Sequence, residues 1–360
     1  MHLNHTGRYY SFASKQTDPK MKDTTLLIAL TEEEEADFLS PKAKKLLESM
    51  PVQTRWVRLP LASAESWQEI LRETKPYVLL AAWACPRLPE NLPIGEDGGL
   101  RYVAYLAGSI RKLVPRPLLE KGLLVTNWGS SISRTISECG LLLILSAMRR
   151  ASYWSVAMHR EGAWKQGLKT ETQSLFEKRV GIHGFGKIAQ QMVPLLKPFG
   201  GVISTYSPSV PDAFLAECGV QRCTSLEDLF SENEVIVELA PYHAKNHHIV
   251  TEELLRSIPK GGVFVNVGRG AVVDEQALIQ VARERADDLQ IGLDVYEKEP
   301  LAEESPLRGM PNVALLPHIA GPTKDRRCDS GSVAIDNLAL FARGDSIPDV
   351  ITVNEFDRST

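Results

Sequence analysis

The stretch Val180-Gly181-Ile182-His183-Gly184-Phe185-Gly186-Lys187-Ile188-Ala189 decides how this chain is read. A short β-type run ends in a Gly-x-Gly-x-x-Ala turn, and a helical pattern carrying Ile188, Met192, Leu195 and Leu196 follows it. Gly184 suits the tight turn out of a strand, Gly186 lets a pyrophosphate approach the backbone, and Ala189 lets helix and strand pack closely. An anion at such a turn meets unpaired N–H groups at a helix N-terminus, where the dipole favours negative charge. Alone, the match is often a plain strand-to-helix turn. Its place behind a strand, before an apolar helix and ahead of further strands marks Gly184, Phe185, Gly186, Lys187 and Ile188 as cofactor-binding candidates.

Working outward, strand-like runs follow at 202–206, 235–239, 262–267, 289–294 and 313–316, the pattern of a doubly wound parallel sheet of the Rossmann type. Ahead of the turn, runs at 25–30, 57–59, 78–82 and 123–126 alternate with helix-like or Pro-rich segments, which predicts a second, flavodoxin-like α/β sheet. Thr31 followed by Glu32, Glu33, Glu34 and Glu35 reads as a capped helix start whose acidic run is solvated. Residues 133–150 are apolar on most faces, as in a helix linking domains or buried between domains or subunits. A helix over 329–343 is left to return to the first domain. The expected organisation is a discontinuous flavodoxin-like domain (24–126 and 321–350), a Rossmann domain (127–320) and a loose leader (1–23).

Composition limits the alternatives. A chain of 360 residues is too long for one ordinary core, and 43% hydrophobic with 24% charged residues is the balance of a globular protein. A net charge of −4 and the lack of a basic stripe argue against nucleic acid as a partner. No run approaches the ~20 apolar residues that span a bilayer. The five cysteines form no Cys-x-x-Cys pair, which argues against a disulfide framework or zinc site and fits a cytoplasmic protein. His247 and His248 are neighbours expected to point to different sides with no third ligand, so no metal is expected. His183 is read as packing.

The residue after the second Rossmann strand normally reads the adenosine ribose. Here it is Ser207, where a carboxylate would have repelled a 2′-phosphate. No Arg or Lys follows until well past Asp212, so nothing obvious welcomes that phosphate either. Ser207 as a simple turn cap before Pro208 is an equal reading; NAD stands slightly ahead of NADP.

Three later strands each end near an ionisable residue: Arg269 in Asn266-Val267-Gly268-Arg269-Gly270, Glu299 beyond Leu293-Asp294, and His318 in Leu315-Leu316-Pro317-His318. Carboxyl ends of parallel strands are where such sheets bind ligands. With Trp164 ahead of the turn and Ala240-Pro241 after the following strand, the chain resembles the D-isomer-specific 2-hydroxyacid dehydrogenases over about residues 24–350. The resemblance implies an Arg–Glu–His mechanism acting on a small 2-keto or D-2-hydroxy acid. Arg269 would grip the carboxylate with its planar fork. His318 would be the acid/base and Glu299 its support. Asp294 would lie near the nicotinamide carboxamide, and Ala240 and Pro241 would line the cofactor.

By the same resemblance, the substrate carboxylate meets the loop containing Ala82 and Trp83. That loop carries no charge, which argues against a phosphorylated substrate. Trp83 walling a pocket and Trp83 packing under the loop are equal readings. Formate dehydrogenases have Gln beside the histidine, so Glu299 speaks against that branch. The resemblance also implies a homodimer formed through the 133–150 helix. The rival class is a non-catalytic NAD(H)-sensing, co-repressor-like protein on the same fold.

Overall fold

The structure, a computed structural model, describes residues 24–95, 99–165 and 171–358. The leader expected over 1–23 lies outside the described residues. Two compact units emerge. One holds the described residues up to Gly129 and those from Arg327 onward; the other is Ser130–Arg326.

The first unit is built on five parallel strands: β1 (Thr25–Leu30), β2 (Gln53–Arg58), β3 (Val78–Ala81), β4 (Tyr102–Tyr105) and β5 (Leu124–Thr126), in the order β2-β1-β3-β4-β5. Helices cover both faces, so its inner strands are apolar at nearly every position. Leu26, Ile28 and Leu30 pack with Phe38, Ala43, Leu47 and Ile335 on one side, while Leu27 and Ala29 pack with Trp67, Leu71 and Leu118 on the other. Each such fully buried Leu or Ile contributes about 1.5–3 kcal/mol. β2 begins at Gln53, earlier than the run expected at 57–59. It is an edge strand whose residues are nearly all exposed, so it carries no hydrophobic signal. β4 was not expected at all: its four buried residues merge into the apolar run that continues to Ala107, which hides the strand's ends.

The acidic run after Thr31 is only partly solvated. Thr31 and Glu34 form a reciprocal capping box, but Glu34 is buried and its Oε1 accepts the N–H of Ala84 at 2.8 Å, in the loop leaving β3. The helix cap therefore also anchors a distant loop.

The second unit carries seven parallel strands: β6 (Val180–His183), β7 (Ile203–Tyr206), β8 (Gln221–Arg222), β9 (Val235–Glu238), β10 (Val263–Asn266), β11 (Gln290–Leu293) and β12 (Val313–Leu315). Their order is β12-β11-β10-β9-β6-β7-β8. The chain runs outward from β6 through β7 and β8, then restarts beside β6 at β9. The β6/β9 boundary is the switch point where such sheets bind ligands at their carboxyl ends. The two-residue edge strand β8 had no sequence signature. The Ser133–Met148 helix, expected as a linker, buries Ile136, Leu143, Ile144 and Ala147 in the core of its own unit beside the Lys187–Leu196 helix; it leaves Leu142 exposed. No described helix is long and apolar enough to cross a membrane.

Candidate active site

Gly184 leaves β6 with φ +84°, a conformation open to glycine. A Cβ there would also stand 2.9 Å from Ala240 Cα, so the glycine lets the turn close against the exit of β9, where Ala240 and Pro241 lie. The Lys187–Leu196 helix starts at Gly186 without any side-chain cap, and the space that a Gly186 Cβ would enter is open to 4 Å. An uncapped first turn behind open space is what a pyrophosphate requires. Phe185 is buried against Phe214, ring centroids 6.3 Å apart, so its contribution to a cofactor is its backbone. Ala189 is fully buried at the strand–helix contact.

Ser207 follows β7 and is buried. Arg222, on β8, donates from Nη1 to the Ser207 carbonyl at 3.1 Å, from Nη2 to the Val210 carbonyl, and pairs with Asp212. The cation that looked too distant in sequence is thus folded beneath this turn, because β8 pairs with β7.

His183 is not plain packing. It stands directly opposite Glu238 across the β6/β9 register, and its Nδ1 lies 2.6 Å from Glu238 Oε2. Glu238 Oε1 accepts the Ala240 N–H at 2.7 Å, so the pair also ties down the loop beside Gly184. Burial alone would lower the imidazole pKa; the charge and hydrogen bond of Glu238 outweigh it and raise the pKa above the ordinary value.

Arg269, Glu299 and His318 come from loops beyond β10, β11 and β12. Asn266, buried at the end of β10, accepts the Gly268 N–H through Oδ1 and donates through Nδ2 to the Arg269 carbonyl, which shapes the arginine loop. Gly270 lets that loop lie on the next one: a Cβ there would fall 1.9 Å from the Tyr296 carbonyl carbon and oxygen. The surrounding protein desolvates the Arg269 guanidinium and lowers its pKa, an effect the Glu299 charge opposes, while the residue as a whole keeps contact with solvent. Glu299 accepts from the Tyr296 N–H through Oε1 and lies 2.6 Å from His318 Nδ1 through Oε2. A carboxylate only accepts, so Nδ1 carries a proton and Nε2 is the nitrogen left to exchange one.

Asp294, buried at the end of β11, accepts the N–H groups of Ile319 at 2.8 Å and Ala320 at 3.0 Å. It thereby holds the backbone beside His318, which has φ +53°, a conformation costing about 1–3 kcal/mol outside glycine. The sequence marked Asp294 only through resemblance, and Asn266 only as part of its segment. The signal for both is a buried polar residue closing an apolar strand.

Residues 141–320 match the model of the D-isomer specific 2-hydroxyacid dehydrogenase, NAD binding domain. The glyoxylate/hydroxypyruvate reductase A of Arabidopsis thaliana is 32% identical over 271 residues, 74% of this chain and 82% of that protein. This chain belongs to the D-isomer-specific 2-hydroxyacid dehydrogenase family. A glyoxylate reductase of Korarchaeum cryptofilum is 29% identical over 255 residues, covering 70% of this chain and 76% of that one. In fold, the NAD-complexed D-isomer-specific 2-hydroxyacid dehydrogenase of Lactobacillus delbrueckii ssp. bulgaricus aligns with TM-score 0.74 at 17% identity, covering 91% of this chain and 100% of that chain. The matched NAD-binding domain makes NAD the cofactor, and the uncapped turn at Gly186 fits it.

In the first unit, Ala82 is buried and Trp83 is 47% exposed. Trp83 sits in an aromatic group, which is compatible with either of its two readings. Phe38 lies 5.1 Å from it and Trp128 6.4 Å, and the Arg327 guanidinium stands 4.9 Å over the ring. The loop is uncharged in sequence, but tertiary structure brings it a cation, itself paired with Asp37 at 2.6 Å. The argument against a phosphorylated substrate from the absence of charge therefore falls.

His247 and His248 do not point to different sides. His248 has φ +54°, and this left-handed turn stacks the two rings 3.8 Å apart at 24°. Glu297 supplies the third group that was not evident in sequence, its Oε1 2.9 Å from His248 Nε2.

Proposed function

We propose that this dehydrogenase-family chain is an NAD-dependent oxidoreductase that interconverts a 2-keto acid and its D-2-hydroxy acid. The observation that carries the reading is the 2.6 Å contact between His318 Nδ1 and Glu299 Oε2, beside a loop that presents Arg269. NAD, when bound, supplies or accepts the hydride. Arg269 holds the substrate carboxylate and polarises the neighbouring carbonyl. His318 donates a proton from Nε2 to the carbonyl oxygen in reduction and recovers it in oxidation. Glu299 holds Nδ1 and so orients the ring. Ala240, Pro241 and Ser207 line the cofactor, Ala82 and Trp83 the substrate; Asp294 holds the histidine loop and stands by the nicotinamide.

NAD is preferred over NADP because Arg222, the cation that reaches the Ser207 carbonyl, is also engaged by the Val210 carbonyl and by Asp212 and is not offered to a 2′-phosphate. Relatives are named for glyoxylate and hydroxypyruvate, which makes these the first substrates to test. The aromatic group around Trp83 adds bulkier 2-keto acids as a second arm. The functional protein is a homodimer.

The deciding experiment follows NADH and NADPH consumption by absorbance with glyoxylate, hydroxypyruvate, pyruvate and branched or aromatic 2-keto acids. Turnover with NADH on at least one acid is expected. Cofactor binding without turnover on any of them overturns the enzyme reading in favour of a dinucleotide sensor.

A further inference from the structure

We propose that His247, His248 and Glu297 form a binding site for a divalent transition cation of the Zn²⁺ class. The three candidate ligand atoms lie within 4.8 Å of one another. They come from two separate segments, the end of the Ala244–Asn246 turn and the loop leaving β11, so their meeting is a product of the fold. Each is set by backbone. The His248 N–H donates to the Ala271 carbonyl at 3.1 Å, and Val250 bridges to Val272 and Asp274 just behind it. Glu297 is held from the other side, its own N–H donating to Glu275 Oε2 at 3.0 Å. The left-handed turn at His248 is the element that matters: an extended backbone sends successive side chains to opposite sides, whereas φ +54° places both imidazoles beside one carboxylate.

The donor set selects the cation. Two imidazole nitrogens and one carboxylate oxygen suit Zn²⁺, Co²⁺ or Ni²⁺; Ca²⁺ and Mg²⁺ prefer all-oxygen surroundings. Tetrahedral bonds of about 2.0–2.1 Å need ligand atoms roughly 3.3 Å apart. His248 and Glu297 are already closer than that, and His247 is exposed with room to swing inward. The open side leaves the fourth position to water. A bound cation would staple the 244–249 segment to the loop that continues through Glu299, and so stabilise the folded state by mass action. The site is independent of the proposed reaction, since none of its ligands is assigned to the chemistry.

The test uses the full chain, reduced and stripped with chelator, titrated with Zn²⁺ by calorimetry and with Co²⁺ by visible absorption. About one equivalent of Zn²⁺ should bind and raise the melting temperature. Co²⁺ should give the bands of a nitrogen/oxygen site without the thiolate charge-transfer absorption that any of the five cysteines would add. His247→Ala and Glu297→Gln, both at exposed positions and checked by circular dichroism for folding, should each weaken binding about tenfold or more. Absence of binding, thiolate absorption, or affinity unchanged in both variants overturns the proposal.

Discussion

Asp294 and His318 are joined through backbone rather than side chain: the buried carboxylate accepts the two N–H groups that follow the histidine, at 2.8 and 3.0 Å. The imidazole is therefore aimed from one strand end away. Asp294→Asn keeps the shape but offers one accepting oxygen in place of two, leaving one buried amide unpaired at about 1–3 kcal/mol. A drop in melting temperature of several degrees, with a loss in kcat larger than that caused by exposed substitutions, is expected from thermal scans and steady-state kinetics.

Removing the imidazole tests the chemistry itself. His318→Ala should cost on the order of 10²–10⁴-fold in kcat while NADH binding, read by fluorescence quenching, stays intact, because the Gly184–Gly186 turn is untouched. Equal loss of both would assign His318 to cofactor binding instead.

Arg269→Lys preserves charge and removes the planar fork. One lost charge-assisted hydrogen bond is worth about 1.5–3 kcal/mol, so kcat/KM should fall roughly 10–100-fold, with KM for the keto acid rising. A KM and kcat equal to those of the parent would remove Arg269 from the carboxylate site.

Gly270→Ala places a methyl group against the Tyr296 peptide at 1.9 Å, where the neighbouring atoms are backbone and cannot yield by rotation. The arginine loop must lift from the Glu299 loop. Activity should be nearly abolished in a protein that still binds NADH, and a fully active Gly270→Ala enzyme would show that the two loops need not be in register.

The His183–Glu238 pair predicts both a mutational pattern and a pH dependence. His183→Ile leaves the buried Glu238 charge without its imidazole partner and should cost about 3–5 kcal/mol, whereas adding Glu238→Leu should recover that loss except for the about 1–3 kcal/mol of the orphaned Ala240 N–H. Because the folded imidazole pKa is raised, the pair's ionic contribution is complete below the unfolded value near 6.5 and is lost as pH rises through the folded value. The urea midpoint of the parent should therefore fall relative to that of the double variant as pH rises past neutrality; a constant difference from pH 5 to 9 would contradict the shift.

How far the chain could be read without coordinates is clear from particular residues. The glycine turn, the inner strands other than β4 and the order Arg269, Glu299, His318 were legible, because each rests on local grammar: a turn that only glycine makes, strands apolar on both faces, ionisable groups at strand ends. β4 and the edge strand β8 were not, and β2 only at its C-terminal end. Short or solvent-facing strands lack a hydrophobic period, and their pairing is set by neighbours far away in sequence.

The amino-acid sequence by itself determined the class of sheet and the glycine turn, and placed Arg269, Glu299 and His318 as ionisable side chains beyond strand ends. Only tertiary structure decided what holds them. Glu34 reaches Ala84 across 50 positions, His183 meets Glu238 across 55, Arg222 turns back to Ser207, and Arg327 covers Trp83 from nearly the other end of the chain. Hydrogen bonds and ion pairs act over a few ångströms of space and are indifferent to separation along the chain, so a residue's partner is written in the fold and not in its neighbours.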